Sequence, residues 1–582
     1  MNENQDKEAN GGIAARKWPS WRQWRQLPKL LDTKERFQIL AGLFLIIAAL
    51  LSWFMADRIY NYRTAPDFGG DYSEAIVGQP QYLNPLLENL NLNNVDQDID
   101  TLVYSGLIRI NEKGDPETDL ASRYEVSDDG KVYTVWLKDN IFWQDKKPIT
   151  ADDVIFTVNT LKNPDAKSPL RLNWQGVEVE KLDDKAVRFK LENASYSFLQ
   201  NLTMGILPAH IWSNVSVRNL GLAEPNLSPV GSGPYRFEKL QKDGTGFIRS
   251  ISLVANDKFY RQRPYLNRIV LKFYQTEQEA IAAWNNGDVE GLNKVSAGNF
   301  QFVEAKDKAQ VFNITLHRFF AVFFNQTQSS VIADKNVRLA LTYATNKKDI
   351  VKQVTHSLAE TVSSPFPQVT DAVTYQFDIA KADEILNDAQ WLYPSTDSAV
   401  LEKKIVANQN AKTLTIKVTV PDVPELRQTA ELMKTQWAAV GADLEPGYVD
   451  VNSIQNQNIR PRNYEALLFG LAQGAEPDPY VFWHSSQKRD PGFNLALYDN
   501  NNVDGLLDDL RRTQDPAAQK DILSKIDGFI QADAPAIFLY NPYYIYLIRD
   551  DVMGASIGNI TFANQRFAGI EQWYKATKRV RK

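Results

Sequence analysis

The chain has 582 residues, 43% hydrophobic and 23% charged, with a formal net charge of −6 and no cysteine. That length exceeds what one compact core usually holds, so two or more lobes are expected. The missing thiols exclude disulfides, thiolate metal sites, cysteine nucleophiles and a lipid-modified N-terminal cysteine.

Charge is unevenly placed along the chain. Residues 1–63 hold ten Lys/Arg against six Asp/Glu, and the remainder holds 55 against 65. An acidic body of this kind argues against nucleic acid as a partner. Residues 1–36 read as a basic cytoplasmic segment, with Trp18, Trp21 and Trp24 at a spacing that suits the inner membrane surface. Phe37–Ala56 follows with no charge over twenty residues. As a helix it would rise about 30 Å, the thickness of a hydrocarbon core. Cations crowd its upstream flank, so the positive-inside rule places the body outside, in an extracellular or periplasmic space. The apolar run is longer than a signal-peptide core, and Phe54 stands where cleavage wants a small residue. The segment therefore reads as an uncleaved anchor in the lipid bilayer. Residues 57–68 read as a linker.

Beyond the linker, strand-like and helix-like stretches alternate. The stretch from Lys131 to Trp143, "KVYTVWLKDNIFW", suits a strand pair. Next comes "QDKKP", a polar turn, and then Thr150 at an N-cap position with Asp153 three residues on, close to a capping box. Asp152 and Asp153 invite an acid–base reading, but neighbouring helical positions diverge by about 100°. First-turn carboxylates also suit the helix dipole, so an architectural role is expected. Val154, Ile155, Val158 and Leu161 give that helix a buried face. "VEVEKLDDKAVRFKLEN" reads as a hairpin turning at Asp183–Asp184. Ser232 in "VGSGPY" lacks the outer glycines of a nucleophile elbow and reads as a tight backbone turn. A helix follows in "EQEAIAAWNNGDVEGL", stopped by Gly287. "VRLALTYATNKKDIVKQV" reads as one amphipathic helix. "LTIKVTV" and the helix–strand stretch "AELMKTQWAAVGADLEPGYVD" suggest a βα unit. This mixed order implies α/β or α+β lobes. His210, His317, His356 and His484 are isolated, no H-E-x-x-H occurs, and no phosphate loop is present. ATP hydrolysis must then belong to a partner, and no metal or cofactor is expected.

Several segments in order carry a family resemblance. They are "YLNP" (Tyr82–Pro85), "YSGLIRI" (Tyr104–Ile110), "DLASRYEVSDDGKVYTVWL" (Asp119–Leu137), and Trp143, Asp145, Pro148, Thr150, Ala151, Asp153 and Val154 of a W-x-D-G-x-P-x-T-A-x-D-V pattern. "ILPAHIW" (Ile206–Trp212), "GSGPYRF" (Gly231–Phe237), "NVRLALTYATNKKDIV", "NVDGLLDDLRRTQD" and "PAIFLYNP" follow. Over about residues 70–560 the chain resembles the extracellular solute-binding proteins of family 5, the oligopeptide, dipeptide and nickel class. The resemblance implies an α/β, two-lobed fold of the periplasmic-binding-protein kind (type II, cluster C-like), here behind an N-terminal transmembrane helix. Lobe one would span 69–312 with 535–582 returning to it, and lobe two 313–534.

The implied function is binding without catalysis: a tethered protein capturing peptides or peptide-like solutes for the permease and ATPase of an ABC importer. The alternative is a surface sensor on the same scaffold with a non-peptide ligand. The resemblance and the aromatic content nominate Tyr82, Asn84, Trp174, Phe324, Asn325, Gln473, Gly474, Asp478 and Trp483 as ligand contacts. Two departures stand out. Lys146 occupies the family's turn glycine. Gln473 stands where peptide binders carry the aspartate that holds an α-ammonium, and an amide offers no counter-charge; Glu476 and Asp478 are the nearby substitutes.

Overall fold

A computed structural model describes residues 20–25, 32–60, 62–87, 94–111, 114–195, 197–366, 375–403, 411–473, 478–558 and 560–581. The chain divides into two compact units, 1–66 with 577–582, and 67–576.

In the smaller unit, a helix runs Thr33–Tyr60. Within it Thr33–Met55 is long and apolar enough to cross a membrane, and none of that stretch is buried. At about 1.5 Å per residue these 23 residues rise roughly 35 Å. Residues 57–68, expected as a linker, include regular structure. The helix continues to Tyr60, and Tyr62–Pro66 forms a strand antiparallel to Thr577–Arg581, with Arg63 opposite Val580. This pairing spans the whole chain, so no local pattern announces it. Trp21–Trp24 is a short helix with Trp21 exposed, while Trp18 lies outside the described residues.

Among the described residues the larger unit holds three sheets of four or more strands and two two-stranded ones. A seven-stranded sheet has the order 309–314, 544–549, 291–295, 71–77, 268–274, 248–255, 235–242. The 71–77 strand runs parallel to 268–274 and to 291–295. A four-stranded antiparallel sheet, 121–126, 132–137, 186–191, 177–183, contains the hairpin that turns at Asp183–Lys185. The strand Val132–Leu137 pairs with 121–126 and 186–191, whereas Phe142 only bridges Pro148. The third sheet has six strands, in the order 359–361, 536–542, 318–324, 466–472, 415–421, 443–449.

Both faces of the six-stranded sheet are covered, which explains its near-continuous apolar strands. In "RFFAVFF", Phe319, Ala321 and Phe323 pack on one face with Leu507 and Ile526, and Val322 and Phe324 pack on the other with Leu341 and Trp437. "LTIKVTV" does open a βα unit: Thr415–Pro421, the helix Pro424–Ala438, then the parallel strand Asp443–Val449. The stretch read as one amphipathic helix is two, Lys335–Ala344 and Lys347–Val354. Asn346 breaks it, because its side-chain oxygen accepts the Asp349 N–H at 3.1 Å and caps the second helix.

The chain passes from the seven-stranded to the six-stranded sheet through Thr315–His317, and returns at Tyr543. Before that return, strand Ala536–Pro542 pairs inside the six-stranded sheet. The two crossings are braced together. Asn541 Nδ2 donates to Leu316 O at 2.8 Å, and Arg318 Nη2 donates to Pro542 O at 3.2 Å.

Lys146 sits at φ +73°, in the left-handed region where a side chain is strained. Replacing it with glycine is expected to stabilise the protein by about 1 kcal/mol, read as a higher urea midpoint. An unchanged or lower midpoint would show that the turn carries no such strain.

Candidate functional site

The adjacent carboxylates are architectural. Asp153 Oδ2 accepts the Thr150 N–H at 2.9 Å, and its Oδ1 accepts the Ala209 N–H at 2.9 Å, tying helix Ala151–Lys162 to the next segment. Burial raises its pKa against those bonds. Asp152 points elsewhere, to Lys181 at 2.8 Å.

A cleft of about 910 Å³ opens between the two large sheets, against both crossings. From one side it is lined by Asp100, Tyr104 and Ser105 at the end of helix Asn94–Val103, by Arg109, and by Trp174. The Thr561–Ala568 segment contributes as well. From the other come Gln473, Asp478, Val481, Phe482 and Arg511. His317 and Arg318 line it at the first crossing, and Lys294 lines it from strand Gly291–Val295.

The nominated contacts separate on this geometry. Trp174, Gln473 and Asp478 line the cleft. Trp174 does so while packing edge-on against Phe198, ring centres 5.6 Å apart. Gln473 is almost fully buried, its backbone N–H donating to His317 O at 2.7 Å and its Nε2 meeting no partner among the described residues. Asp478 is not a free counter-charge, because Arg511 holds it through Nη2 at 2.7 Å and Nε at 3.1 Å. Arg511 in turn lies 3.6 Å over the Tyr480 ring. Gly474 and Glu476 lie outside the described residues.

Five others are placed away from the cleft. Tyr82 is half-exposed, its N–H donating to Asp96 at 3.2 Å. Asn84 is buried and accepts the Leu86 N–H at 3.0 Å. Phe324 belongs to the sheet core, and Asn325 donates to Tyr464 O at 2.9 Å beneath it. Trp483 is buried against Tyr498 and Phe538. Apolar and amide side chains serve cores and clefts equally well, so residue type alone did not separate the two.

The cleft also holds cations that were not among the contacts expected from sequence. Arg109 pairs with Glu117, and Arg261 with Glu571 at 3.1 Å. Lys294 and Arg318 line the same space without an ion pair among the described residues. The nearest signal was "LHRFF", where a lone arginine interrupts an apolar strand.

Behind the cleft lies a fully buried network. Arg566 meets Asp98 at 2.5 and 2.7 Å and Glu74 at 2.6 Å, with all three side chains inaccessible. Tyr72 and Tyr546 hydroxyls donate to Glu74 Oε2 at 2.7 and 2.6 Å. Burial and the Glu74 charge hold both phenols far above their usual pKa, so they stay donors. Asn293 Nδ2 donates to Asp98 at 3.1 Å and Asn293 Oδ1 accepts from Tyr544, which fixes strand Gly291–Val295.

Comparison with known proteins agrees with this architecture. The family profile described as "Bacterial extracellular solute-binding proteins, family 5 Middle" matches residues 115–493. The chain is 27% identical over 524 residues to the oligopeptide-binding protein AppA of Bacillus subtilis, covering 88% of this chain and 92% of that protein. The AppA structure, in complex with a nonapeptide, matches with a TM-score of 0.68 over 88% of this chain and all of that one. The ABC transporter substrate-binding protein CtaP of Listeria monocytogenes matches with a TM-score of 0.73 at 25% identity, over 87% of this chain and 99% of that one. With its mixed α/β, type II solute-binding fold and a profile match over most of its length, this chain belongs to the bacterial extracellular solute-binding proteins of family 5.

Proposed function

We propose that residues 67–576 capture peptides or peptide-like solutes between two lobes and deliver them to the permease and ATPase of an ABC importer. The lobes are 69–312 with the C-terminal return, and the intervening part up to the second crossing. Helix Thr33–Tyr60 anchors the binder in the bilayer, which raises its effective concentration near the permease. The observation that carries this reading is a cleft of about 910 Å³ between two sheets joined by two short crossings. Ligand would shift an open–closed equilibrium by binding the closed state better, with Thr315–His317 and Tyr543 as hinges. The nonapeptide seen in AppA supports a ligand of peptide chemistry. No chemical change of the ligand is part of the reading.

The test uses the full chain in lipid nanodiscs, titrated with random-sequence pentapeptides. A ligand at 100 times its Kd stabilises the native state by about 2.7 kcal/mol. A rise of that order in unfolding free energy, with recovery of unaltered peptide, is the expected result. Absence of any shift, or recovery of cleaved peptide, overturns it.

A further inference from the structure

The cleft's charges differ from those of the body around it. The chain beyond residue 63 is net acidic, yet five Lys/Arg line the cleft against three Asp. Three of the five are committed: Arg109 to Glu117, Arg261 to Glu571, and Arg511 to Asp478. Lys294 and Arg318 remain, Lys294 on the strand paired with 544–549 and Arg318 at the start of strand 318–324, and both without an acid within 4 Å among the described residues.

Each is aimed at the cleft by the backbone. Lys294 interrupts the pairing of its strand with 544–549, between Leu292 and Val295, and adopts φ +51°. Its neighbour Asn293 is held by Asp98 and Tyr544, so the bulge cannot relax by sliding. The Lys294 side chain stays accessible, while surrounding protein and the Arg318 charge lower its pKa. Arg318 spends Nη2 on Pro542 O, and its Nε has no partner among the described residues. Burial lowers its pKa too. Two carboxylates act on these cations from beyond ion-pair distance, Glu277 on Lys294 and Glu425 on both. Gln473 adds an independent observation: its buried Nε2 is another donor with no acceptor among the described residues, lining the same space. An ammonium, a guanidinium and an amide N–H are all donors. What completes them is an acceptor-only, negatively charged group.

We propose that the cleft takes its ligand by a carboxylate, seated between Lys294 and Arg318 and facing the Gln473 amide, rather than by a free α-ammonium. The ligands are then peptide-like acids, and blocking their amino end is tolerated. This inference rests on the peptide-binding reading above.

The experiment compares four sets of random-sequence pentapeptides on the full chain in nanodiscs. They have both ends free, an acetylated amino end, an amidated carboxyl end, or an amidated end with one internal Glu. The first two sets are expected to bind within about threefold of each other, and the amide about tenfold or more weaker. Recovery with internal Glu identifies a side-chain carboxylate as the acidic group, and no recovery identifies the terminal one. Lys294→Met and, separately, Arg318→Gln should each remove the preference for acid over amide. Gln473→Glu, which places a like charge at the site, should weaken the acid sets alone. Amides binding as tightly as acids, or all three variants keeping the acid preference, overturns the carboxylate site while leaving peptide capture intact. Binding of none of the four sets defeats the peptide reading and this inference with it.

Discussion

Replacing Arg566 with methionine is expected to cost about 3–5 kcal/mol of stability, because it strands two buried carboxylates that lose their only cation contact among the described residues. The size follows from burial. Glu74, Asp98 and Arg566 are all inaccessible, so water cannot replace the lost charge. The variant also carries a pH signature. Burial already lifts Asp98 to about 6, against the downward pull of Arg566. A folded-state pKa above the unfolded value of about 3.8 means that the native state binds the extra proton, so this contribution is present below pH 4 and is lost as pH rises through 6. Removing the guanidinium takes away a lowering influence and moves that midpoint higher still. The deficit relative to wild type should therefore be largest above pH 7 and shrink towards pH 5. Urea midpoints at pH 8 and pH 5 check this, and an equal deficit at both would mean that the pair's electrostatics are not what is lost. Asp98→Asn in the same background should recover part of the stability at pH 8.

How much of this was legible depended on the range of the interaction. The hairpin at Asp183–Lys185, the helix behind Thr150 and the βα unit from Thr415 to Val449 are set by neighbours in sequence, and periodicity with turn and cap chemistry located them. The break at Asn346 was missed because the apolar spacing of Val337, Leu341, Ile350 and Val351 continues across it, while a single side-chain bond to Asp349 resets the backbone. Contacts between distant segments left no local trace. Arg63 opposite Val580, Arg566 on Glu74 and Asn541 on Leu316 each join residues more than 200 positions apart. The cleft was legible in part. Gln473 and Asp478 were found through the family pattern around them, yet the pairing of Asp478 by Arg511 needed the helix Asn501–Arg512 to be brought alongside. Lys294 was invisible because nothing in "GLNKV" announces a bulge, and without the bulge the lysine reads as a solvated edge charge.

The glycines of "GSGPY" carry the second large effect, and their role is space rather than conformational freedom. Gly233 N–H donates to Val103 O at 2.8 Å, and Gln144 Nε2 approaches the same oxygen at 3.2 Å. Together they cap the carboxyl end of helix Asn94–Val103, whose last carbonyls would otherwise lack partners. A Cβ on Gly231 would fall 1.9 Å from Val103 O, and one on Gly233 2.7 Å from Leu102 O. Both obstacles are backbone, so no side chain can swing aside. Gly231→Ala is expected to cost about 3 kcal/mol in a denaturation midpoint. Because Asp100, Tyr104 and Ser105 line the cleft from this helix end, the same substitution should also weaken pentapeptide binding. Ser232→Ala provides the contrast. Its hydroxyl is buried with no partner among the described residues, so removing it should leave both stability and binding nearly unchanged. A nucleophilic serine would give the reverse order, with Ser232→Ala abolishing function and Gly231→Ala merely slowing it, and that outcome would overturn the architectural account of this turn.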